Sequence, residues 1–120
     1  MVNDFTQLFI WQKASKLLHR TVNDIESLPH KIGYNRIGDQ LFRSVSSISV
    51  NIAEGFGKRT KNEFAQACVI ARGEIDESRN WYFQCRNLKL LSESVVEERE
   101  KSLMKLRKMI SSFIAQLHKY

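Results

Sequence analysis

Apolar residues recur every three or four positions along most of the chain, which is the spacing of one face of an α-helix. The first predicted helix runs roughly from Leu8 to Leu28, and its apolar row is Leu8, Trp11, Ala14, Leu18, Val22, Ile25 and Leu28. Pro29 ends this helix, because the residue before a proline disfavours the α conformation. A loop over residues 29–34, containing Gly33, is expected to follow.

The second predicted helix covers residues 35–56, and here helix competes with strand. Its serine-rich, β-branched centre at 44–50 also alternates locally, as a strand would. The longer row keeps the helical period for about five turns and favours helix: Ile37, Leu41, Val45, Ile48, Ile52 and Phe56. Gly55 and Gly57 then supply a stop.

Two further helices complete the pattern. Thr60 and Glu63 predict a capping box at the start of the third helix, which extends to about Leu90. Its inner face is Phe64, Ala67, Ala71, Ile75, Ser78, Tyr82, Cys85 and Leu88.

A turn at 92–94 and a second capping box, Ser94 with Glu97, precede the fourth helix. Its row is Val96, Leu103, Leu106, Ile110, Phe113 and Leu117. Short loops between four helices predict an all-α, antiparallel up-down-up-down four-helix bundle, a single domain over residues 1–120.

Composition narrows the class of protein without changing this picture. With 42% apolar residues the chain is too apolar for disorder, and five Gly and one Pro are too few for a turn-rich β-sandwich. Residues 1–11 lack the features of a signal peptide, and no segment approaches the ~18 apolar residues of a membrane span. We therefore expect a cytoplasmic protein with no membrane contact.

The residues that usually carry catalysis or metal binding are scattered. His19, His30 and His118 lie in different predicted elements, with no Glu-x-x-His pair, Cys-x-x-Cys pair or Walker loop near them. Cys68 and Cys85 share one helix and would lie ~25 Å apart, which excludes a disulfide between them. We expect both to be small core residues, and we expect no metal, no cofactor and no enzymatic activity.

Basic residues exceed acidic ones by 19 to 13, which gives a net charge of +6. Three clusters stand out, in the loop after the second helix, along the third helix and along the fourth: Lys58, Arg59 and Lys61; Arg72, Arg79 and Arg86; Lys101, Lys105 and Lys108. Asp76 interrupts the second cluster and is spaced to pair with Arg72. Each cluster is either a solvated face or a nucleic-acid contact, and symmetric assembly would repeat each of them in every subunit.

The second helix carries more apolar surface than one core face needs. Phe42, Ser46, Ser49 and Ala53 form an arc beside its main row, and Val50 lies nearly opposite that row. Together these five residues predict a self-association surface, although scattered exposed apolar residues are also common. Asn51 and Glu54 share a flank of this helix and form either a polar contact site or a hydrogen-bond network that joins the helix end to the next loop. Glu74 and Arg99 fall within apolar rows, so each must be paired or reach solvent.

Residues 49–59, followed by Glu63 and Phe64, closely resemble the bacterial four-helix-bundle family encoded by intervening sequences in 23S ribosomal RNA genes. The run from Asn51 to Gly55 is that family's most specific signature. Residues 11–14, residues 70–73 with Ile75 and Glu77, and residues 90–92 also match. The resemblance extends from about Phe5 to Leu117. Glu74 departs from the pattern, which usually has a small serine there.

This resemblance implies a ring, commonly a homopentamer, with no established enzymatic activity. The family is distantly similar to the accessory protein of diversity-generating retroelements, a basic pentameric barrel that binds nucleic acid and a reverse transcriptase. We therefore expect a homo-oligomer that binds nucleic acid, RNA in preference. The alternatives are a scaffold for a protein partner and the retroelement accessory role.

Overall fold

The computed structural model describes residues 2–119, which form a short 3-10 turn at Phe5–Gln7 and four helices. The helices are α1 (Phe9–Glu26), α2 (Ile32–Phe56), α3 (Lys61–Asn87) and α4 (Glu93–Lys119). Each of α1 and α3 packs against both α2 and α4. This arrangement confirms the predicted all-α antiparallel four-helix bundle. Within residues 2–119, no helix combines the length and apolar character needed to cross a membrane.

The antiparallel directions follow from which residues meet across each interface. Between α2 and α3, Arg43 contacts Glu77 and Gly55 faces Ala67, so the residue numbers run in opposite directions. Between α3 and α4, Asp76 pairs with Arg107 while Arg79 pairs with Glu100.

The start of α2 differs from the prediction. The helix begins at Ile32 rather than near residue 35, so Gly33 lies in its first turn and not in a loop. Lys31 is the extended N-cap, with φ −129° and ψ 149°. Pro29 restricts only the residue before it, so the chain can resume a helix three residues later. The helical prediction for the serine-rich segment 44–50 is confirmed.

The glycines at the end of α2 do not act as a left-handed stop. The helix continues through Gly55 to Phe56, and Gly57 caps it in a right-handed conformation at φ −82°. Gly55 instead allows α2 and α3 to approach closely. A Cβ at position 55 would lie 2.7 Å from the Cβ of Ala67 and 2.8 Å from the Phe64 ring, closer than carbon atoms can pack.

Of the two predicted capping boxes, the first is confirmed only in its Thr60 half, because the Glu63 carboxylate accepts from the Thr60 side chain. The Thr60 hydroxyl accepts from the Glu63 backbone N–H at 3.1 Å, and it donates in turn to the Glu63 carboxylate. The second prediction is wrong, since Ser94 lies inside α4 and Ser92 accepts from the Val95 backbone N–H at 3.2 Å.

The end of α3 also falls earlier than predicted. The helix ends at Asn87, and Lys89, with φ 60°, turns the chain toward α4. Leu88 is consequently exposed instead of belonging to the inner face.

The buried row of α1 differs from the predicted one at most positions, although Leu8, Ala14 and Leu28 are buried as predicted. Ile10, Ala14, Leu17, Thr21 and Asp24 are buried, whereas Trp11, Leu18, Val22 and Ile25 are only half-buried at the sides of the helix. The apolar pattern missed this row because two of its members are polar. On α2, α3 and α4 most of the predicted core positions are buried, among them Leu41, Ile48, Ile75, Tyr82, Leu103 and Ile110.

The polar members of that row anchor a buried hydrogen-bond network that joins three helices. The Tyr82 hydroxyl on α3 donates to Asp24 at 2.6 Å and contacts the Thr21 hydroxyl at 2.8 Å. Arg99 on α4 donates to both carboxylate oxygens of Asp24, at 2.8 and 3.1 Å. Burial alone would lower the pKa of Arg99, but its hydrogen bonds and charge interaction with Asp24 outweigh burial and raise it. Arg99 is therefore paired inside the bundle.

The second charged residue within an apolar row is also paired. Glu74 on α3 accepts from Arg43 on α2 at 3.3 Å, and Arg43 also contacts Glu77. One turn away, the hydroxyls of Ser44 and Ser78 form a buried hydrogen bond of 2.9 Å between the same two helices.

The two cysteines lie where the sequence places them. Cys68 and Cys85 are free thiols on α3, both fully buried in the core, so the prediction that they are core residues is confirmed. Burial raises the pKa of each thiol to about 11.

Candidate nucleic-acid interface

The first predicted basic cluster lies at one end of the bundle. Lys58 and Arg59 are exposed in the turn between α2 and α3, and Lys61 is the exposed first residue of α3. Because the turn between α2 and α3 is short, the three cations lie close to one another in the chain.

The second predicted cluster, the arginine row of α3, divides into three different environments. Arg79 donates through Nε to both carboxylate oxygens of Glu100 on α4, at 2.9 and 3.0 Å, and its Nη1 lies 3.2 Å from Asp76. Its hydrogen bond to Glu100 is the main cause that raises the pKa of Arg79. Arg79 thus acts first as a link between α3 and α4.

The other two arginines of this row contact neutral groups. Arg72 donates to the Ser111 hydroxyl on α4 at 3.2 Å, and not to Asp76 as its spacing suggested. The guanidinium of Arg86 lies 4.9 Å from the centre of the Phe83 ring, and that of Arg79 lies 5.8 Å from the same centre. These contacts supply no negative charge, so they do not compensate the positive charges of Arg72 and Arg86.

Asp76 neutralises cations on both sides of the α3–α4 seam. Its carboxylate accepts from Arg107 at 3.1 and 3.3 Å as well as from Arg79. Burial by itself would raise the pKa of Asp76, but the hydrogen bonds from the two arginines outweigh it and lower the pKa. This seam is consequently a balanced ion-pair surface and not a positive one.

The third predicted cluster has a different character. Lys101, Lys105 and Lys108 on α4 are exposed, and none of them forms an ion pair with a carboxylate in the part of the chain that the structure describes. No acidic residue follows Glu100 along α4, so the lysines face no competing charge on their own helix.

The structure adds three cations that the sequence analysis did not select. Lys13, Lys16 and Arg20 of α1 face Lys105 of α4 across a cleft of about 250 Å³. No residue lining the cleft is acidic, and its lining is completed by Leu17, Ser102, Leu106 and Met109. The sequence signal was present: residues 5–23 contain no Asp or Glu, but only the pairing of α1 with α4 shows its significance.

The two signature polar residues line an open groove between α2 and α3. The Asn51 side-chain amide donates to the Ser47 carbonyl of its own helix at 2.8 Å, so this bond does not join α2 to the loop. Glu54 is exposed. The groove, of about 330 Å³, also contains Lys58 and Ile70. Asn51 and Glu54 therefore contribute to a surface that is open to solvent.

The predicted apolar arc of α2 lies on the outside of the bundle. Phe42 and Val50 are 48% and 51% exposed, and Ser46, Ser49 and Ala53 are partly exposed between them. The Ser46 and Ser49 hydroxyls donate to backbone carbonyls of α2, at 3.1 and 3.3 Å. Because these hydroxyls already have partners, covering the arc would leave no serine donor unsatisfied.

No group of three or more His, Cys, Asp or Glu side chains in residues 2–119 is arranged to hold a metal ion. The convergent titratable groups Asp24, Tyr82 and Arg99 are closed from solvent and use their hydrogen bonds on one another. The pKa of Tyr82 is raised, chiefly by burial and then by its hydrogen bond to Asp24. This network links α1, α3 and α4.

A family model described as "23S rRNA-intervening sequence protein" matches residues 6–112. The chain belongs to this family. A solved structure from Bacteroides thetaiotaomicron VPI-5482, described as a protein with unknown function from the S23 ribosomal protein family, has the same fold. It is 22% identical, the alignment covers 88% of this chain and 97% of that one, and the TM-score is 0.82. A comparison with curated proteins gave no match.

Two features of this family member now have a structural explanation. Gly55, the last residue of the signature run, is a point of close approach between α2 and α3. Glu74, at which the sequence was expected to depart from the family pattern, pairs with Arg43 of α2 and is only partly exposed. The departure is therefore compensated locally.

Proposed function

We propose that the protein is a cytoplasmic, non-catalytic homo-oligomer, a pentameric ring by its family resemblance, that binds nucleic acid through basic surfaces repeated in every subunit. RNA is the preferred ligand. One observation carries the nucleic-acid proposal: Lys101, Lys105 and Lys108 are exposed on a helix segment with no acidic residue and no ion-pair partner among the described residues. Exposed, uncompensated cations attract a polyanion and gain from the release of its counterions.

The exposed arc of α2 supports self-association. Large apolar side chains at Phe42 and Val50 form one face with serines whose hydroxyls are already bonded to α2. Covering such a face removes apolar area from water at little cost in lost polar contacts. In a closed ring, each basic cluster would lie near the copies of itself in the neighbouring subunits. The positive electrostatic potential would therefore be stronger than that of a single subunit.

Two buried free thiols agree with a reducing compartment, which supports the cytoplasmic assignment. Two observations support the non-catalytic assignment. Asp24, Tyr82 and Arg99 use their hydrogen bonds on one another inside the bundle. The groove at Asn51 and Glu54 is open to solvent and does not form a closed pocket.

The assembly is tested by light scattering at micromolar concentration. The expected mass is several times 14.0 kDa, and five times for a pentamer. Phe42→Glu should lower the mass while the helical circular dichroism spectrum is retained, because the side chain is half exposed in the subunit. Ile32→Glu, at an 80% exposed apolar residue outside the arc, is the matched control. A monomeric wild type would overturn the assembly.

Nucleic-acid binding is tested by fluorescence anisotropy with a labelled single-stranded RNA over a series of salt concentrations. We expect the affinity to fall steeply with salt, and to fall further when Lys101, Lys105 and Lys108 are changed to Gln. Lys31, Arg36 and Lys89 changed to Gln give the same loss of charge outside the predicted clusters. Absence of RNA binding at low salt refutes the proposal, and capture of a protein partner that survives nuclease would favour the scaffold.

A further inference from the structure

The positive charge of the chain is concentrated on two helix segments that pack side by side. Residues 9–23 of α1 and 101–119 of α4 contain eight of the 19 basic residues and none of the 13 acidic ones. The rest of the chain therefore has a net charge of −2, although the whole has +6. These two segments therefore hold more than the whole net positive charge of the chain. Four of their cations, Lys13, Lys16, Arg20 and Lys105, line one cleft, whereas Arg107 pairs with Asp76 of α3.

The antiparallel packing of α1 on α4 brings these two acid-free segments together. Asp24 meets Arg99 at one end of the seam, and Leu17 and Leu106 lie together further along it. The N-terminal part of α1 thus runs beside the C-terminal part of α4. The interface between them is the least extensive of the four helix interfaces, which leaves the cleft of about 250 Å³ open between them.

The residues lining this cleft have the composition of a phosphate site. Lys13, Lys16 and Arg20 project from α1 and Lys105 from α4, and Ser102 adds a hydroxyl. None of the four cations has an ion-pair partner among residues 2–119, in contrast to Arg79 and Arg107 on the α3–α4 seam. The apolar lining residues are Leu17 and Leu106, which are almost fully buried, and Met109, which is partly exposed.

We propose that the α1–α4 cleft binds phosphodiester groups of single-stranded RNA and is the principal backbone contact of the protein. This inference rests on the proposed function, because it names the site and the chemical group by which nucleic acid is held. A guanidinium and three ammonium groups match the charge and oxygen acceptors of adjacent phosphates. Met109, which is partly exposed, can contact a ribose or a base face, as apolar residues do in other positively charged grooves that follow a single strand.

The experiment compares two triple variants with equal charge in the full-length protein. The cleft variant has Lys13, Lys16 and Arg20 changed to Gln, and the control has Lys31, Arg36 and Lys89 changed to Gln. Gln has a helix propensity similar to that of Lys and Arg, so both variants should fold, and circular dichroism checks this. Binding of a labelled uridine oligomer is measured by anisotropy at several salt concentrations.

Each phosphate contact to a single strand contributes about 0.7 to the slope of log affinity against log salt, so losing three contacts lowers the slope by about two. By the same relation the affinity at 0.1 M salt falls by about 100-fold. The control should change the affinity much less and leave the slope nearly unchanged, because its residues lie outside the seam.

The outcomes separate this inference from the proposed function. If the wild type does not bind the oligomer, the proposed function fails and the inference fails with it. If the wild type binds and the two variants lose affinity equally, the proposed function stands and the cleft is not the site. If poly-glutamate displaces the oligomer at equal charge concentration, the cleft recognises acidic polymers in general, and the proposal of a phosphodiester site is overturned.

A second measurement does not depend on the variants folding. A uridine oligomer carrying 4-thiouridine is cross-linked by light to the wild-type protein, and the modified peptides are identified by mass spectrometry. We expect cross-links within 9–23 or 101–119. Cross-links confined to α2 and α3 would overturn the assignment even when binding is strong.

Discussion

Replacing Arg99 should destabilise the bundle far more than replacing a surface arginine that has the same number of acidic partners. Arg99 and Asp24 have side chains only 11% and 9% exposed, and they share two hydrogen bonds, at 2.8 and 3.1 Å. Arg99→Met keeps most of the side-chain volume but leaves the Asp24 carboxylate buried with Tyr82 as its remaining charge-stabilising partner. Breaking a buried ion pair in this way costs about 3–5 kcal/mol.

Arg43→Met is the matched control, because Arg43 also bridges two helices but its side chain is 49% exposed. Pairs of this exposure contribute about 1 kcal/mol or less. Urea unfolding followed by circular dichroism measures both variants, at one fixed protein concentration since assembly adds to stability. With a urea dependence of about 1.5 kcal/mol per molar, Arg99→Met should lower the midpoint by roughly 2 M or more.

A double variant tests the physical reason behind this magnitude. If the cost is that of an orphaned buried charge, removing both charges removes much of the cost. Arg99→Met with Asp24→Leu should therefore be less destabilised than the sum of the two single variants by about 1–3 kcal/mol. Additive effects, or a midpoint shift for Arg99→Met no larger than that for Arg43→Met, would refute the reasoning.

Three further predictions rest on other parts of the bundle. Gly55→Ala should destabilise by about 1–3 kcal/mol in urea unfolding, because its Cβ has no room against Ala67, whereas Gly73→Ala, in open space on α3, should stabilise by up to about 1 kcal/mol. At about pH 8, Cys68 and Cys85 should resist a thiol reagent in the native state and react in urea, since their pKa values of about 11 leave little thiolate; rapid native labelling would contradict their burial. The pKa of Asp76 is lowered from 3.8, so its stabilising contribution is complete above pH 3.8 and is lost as the pH falls below it; Asp76→Asn should reduce that loss in urea midpoints measured across this range.

The sequence predicts the four helices because their apolar rows are long. It does not predict the whole buried row of α1, because two of the residues in that row are polar. Thr21 and Asp24 belong to the buried row of α1, but no periodicity of apolar residues can include them. Their burial depends on Tyr82 and Arg99, which lie more than 50 residues away in the chain. The same long-range pairing explains Arg99, whose position in an apolar row was visible in the sequence but whose partner was not.

The candidate site shows the same limit of local information. The α3 row of Arg72, Arg79 and Arg86 was selected by regular spacing, yet Glu100 from α4 neutralises Arg79. In contrast, Lys13, Lys16 and Arg20 were not selected, because three cations on α1 gain meaning only beside Lys105. Whether a cation has an ion-pair partner depends on the helix packed beside it. The sequence does not show which helix that is, because the fold determines it.

The interhelical ion pairs described above all use arginine, while the cleft is mostly lysine. Arg43, Arg79, Arg99 and Arg107 each reach a carboxylate on another helix. A guanidinium is planar and can donate two parallel bonds, so it fixes the separation of two helices, whereas an ammonium on a flexible stem suits a ligand whose position varies. Arg99→Lys should therefore still destabilise the bundle, since one ammonium cannot reproduce both bonds to Asp24, whereas Lys16→Arg should leave RNA binding intact. Equal tolerance of both exchanges in urea unfolding and anisotropy would show that the two kinds of cation are not specialised in this way.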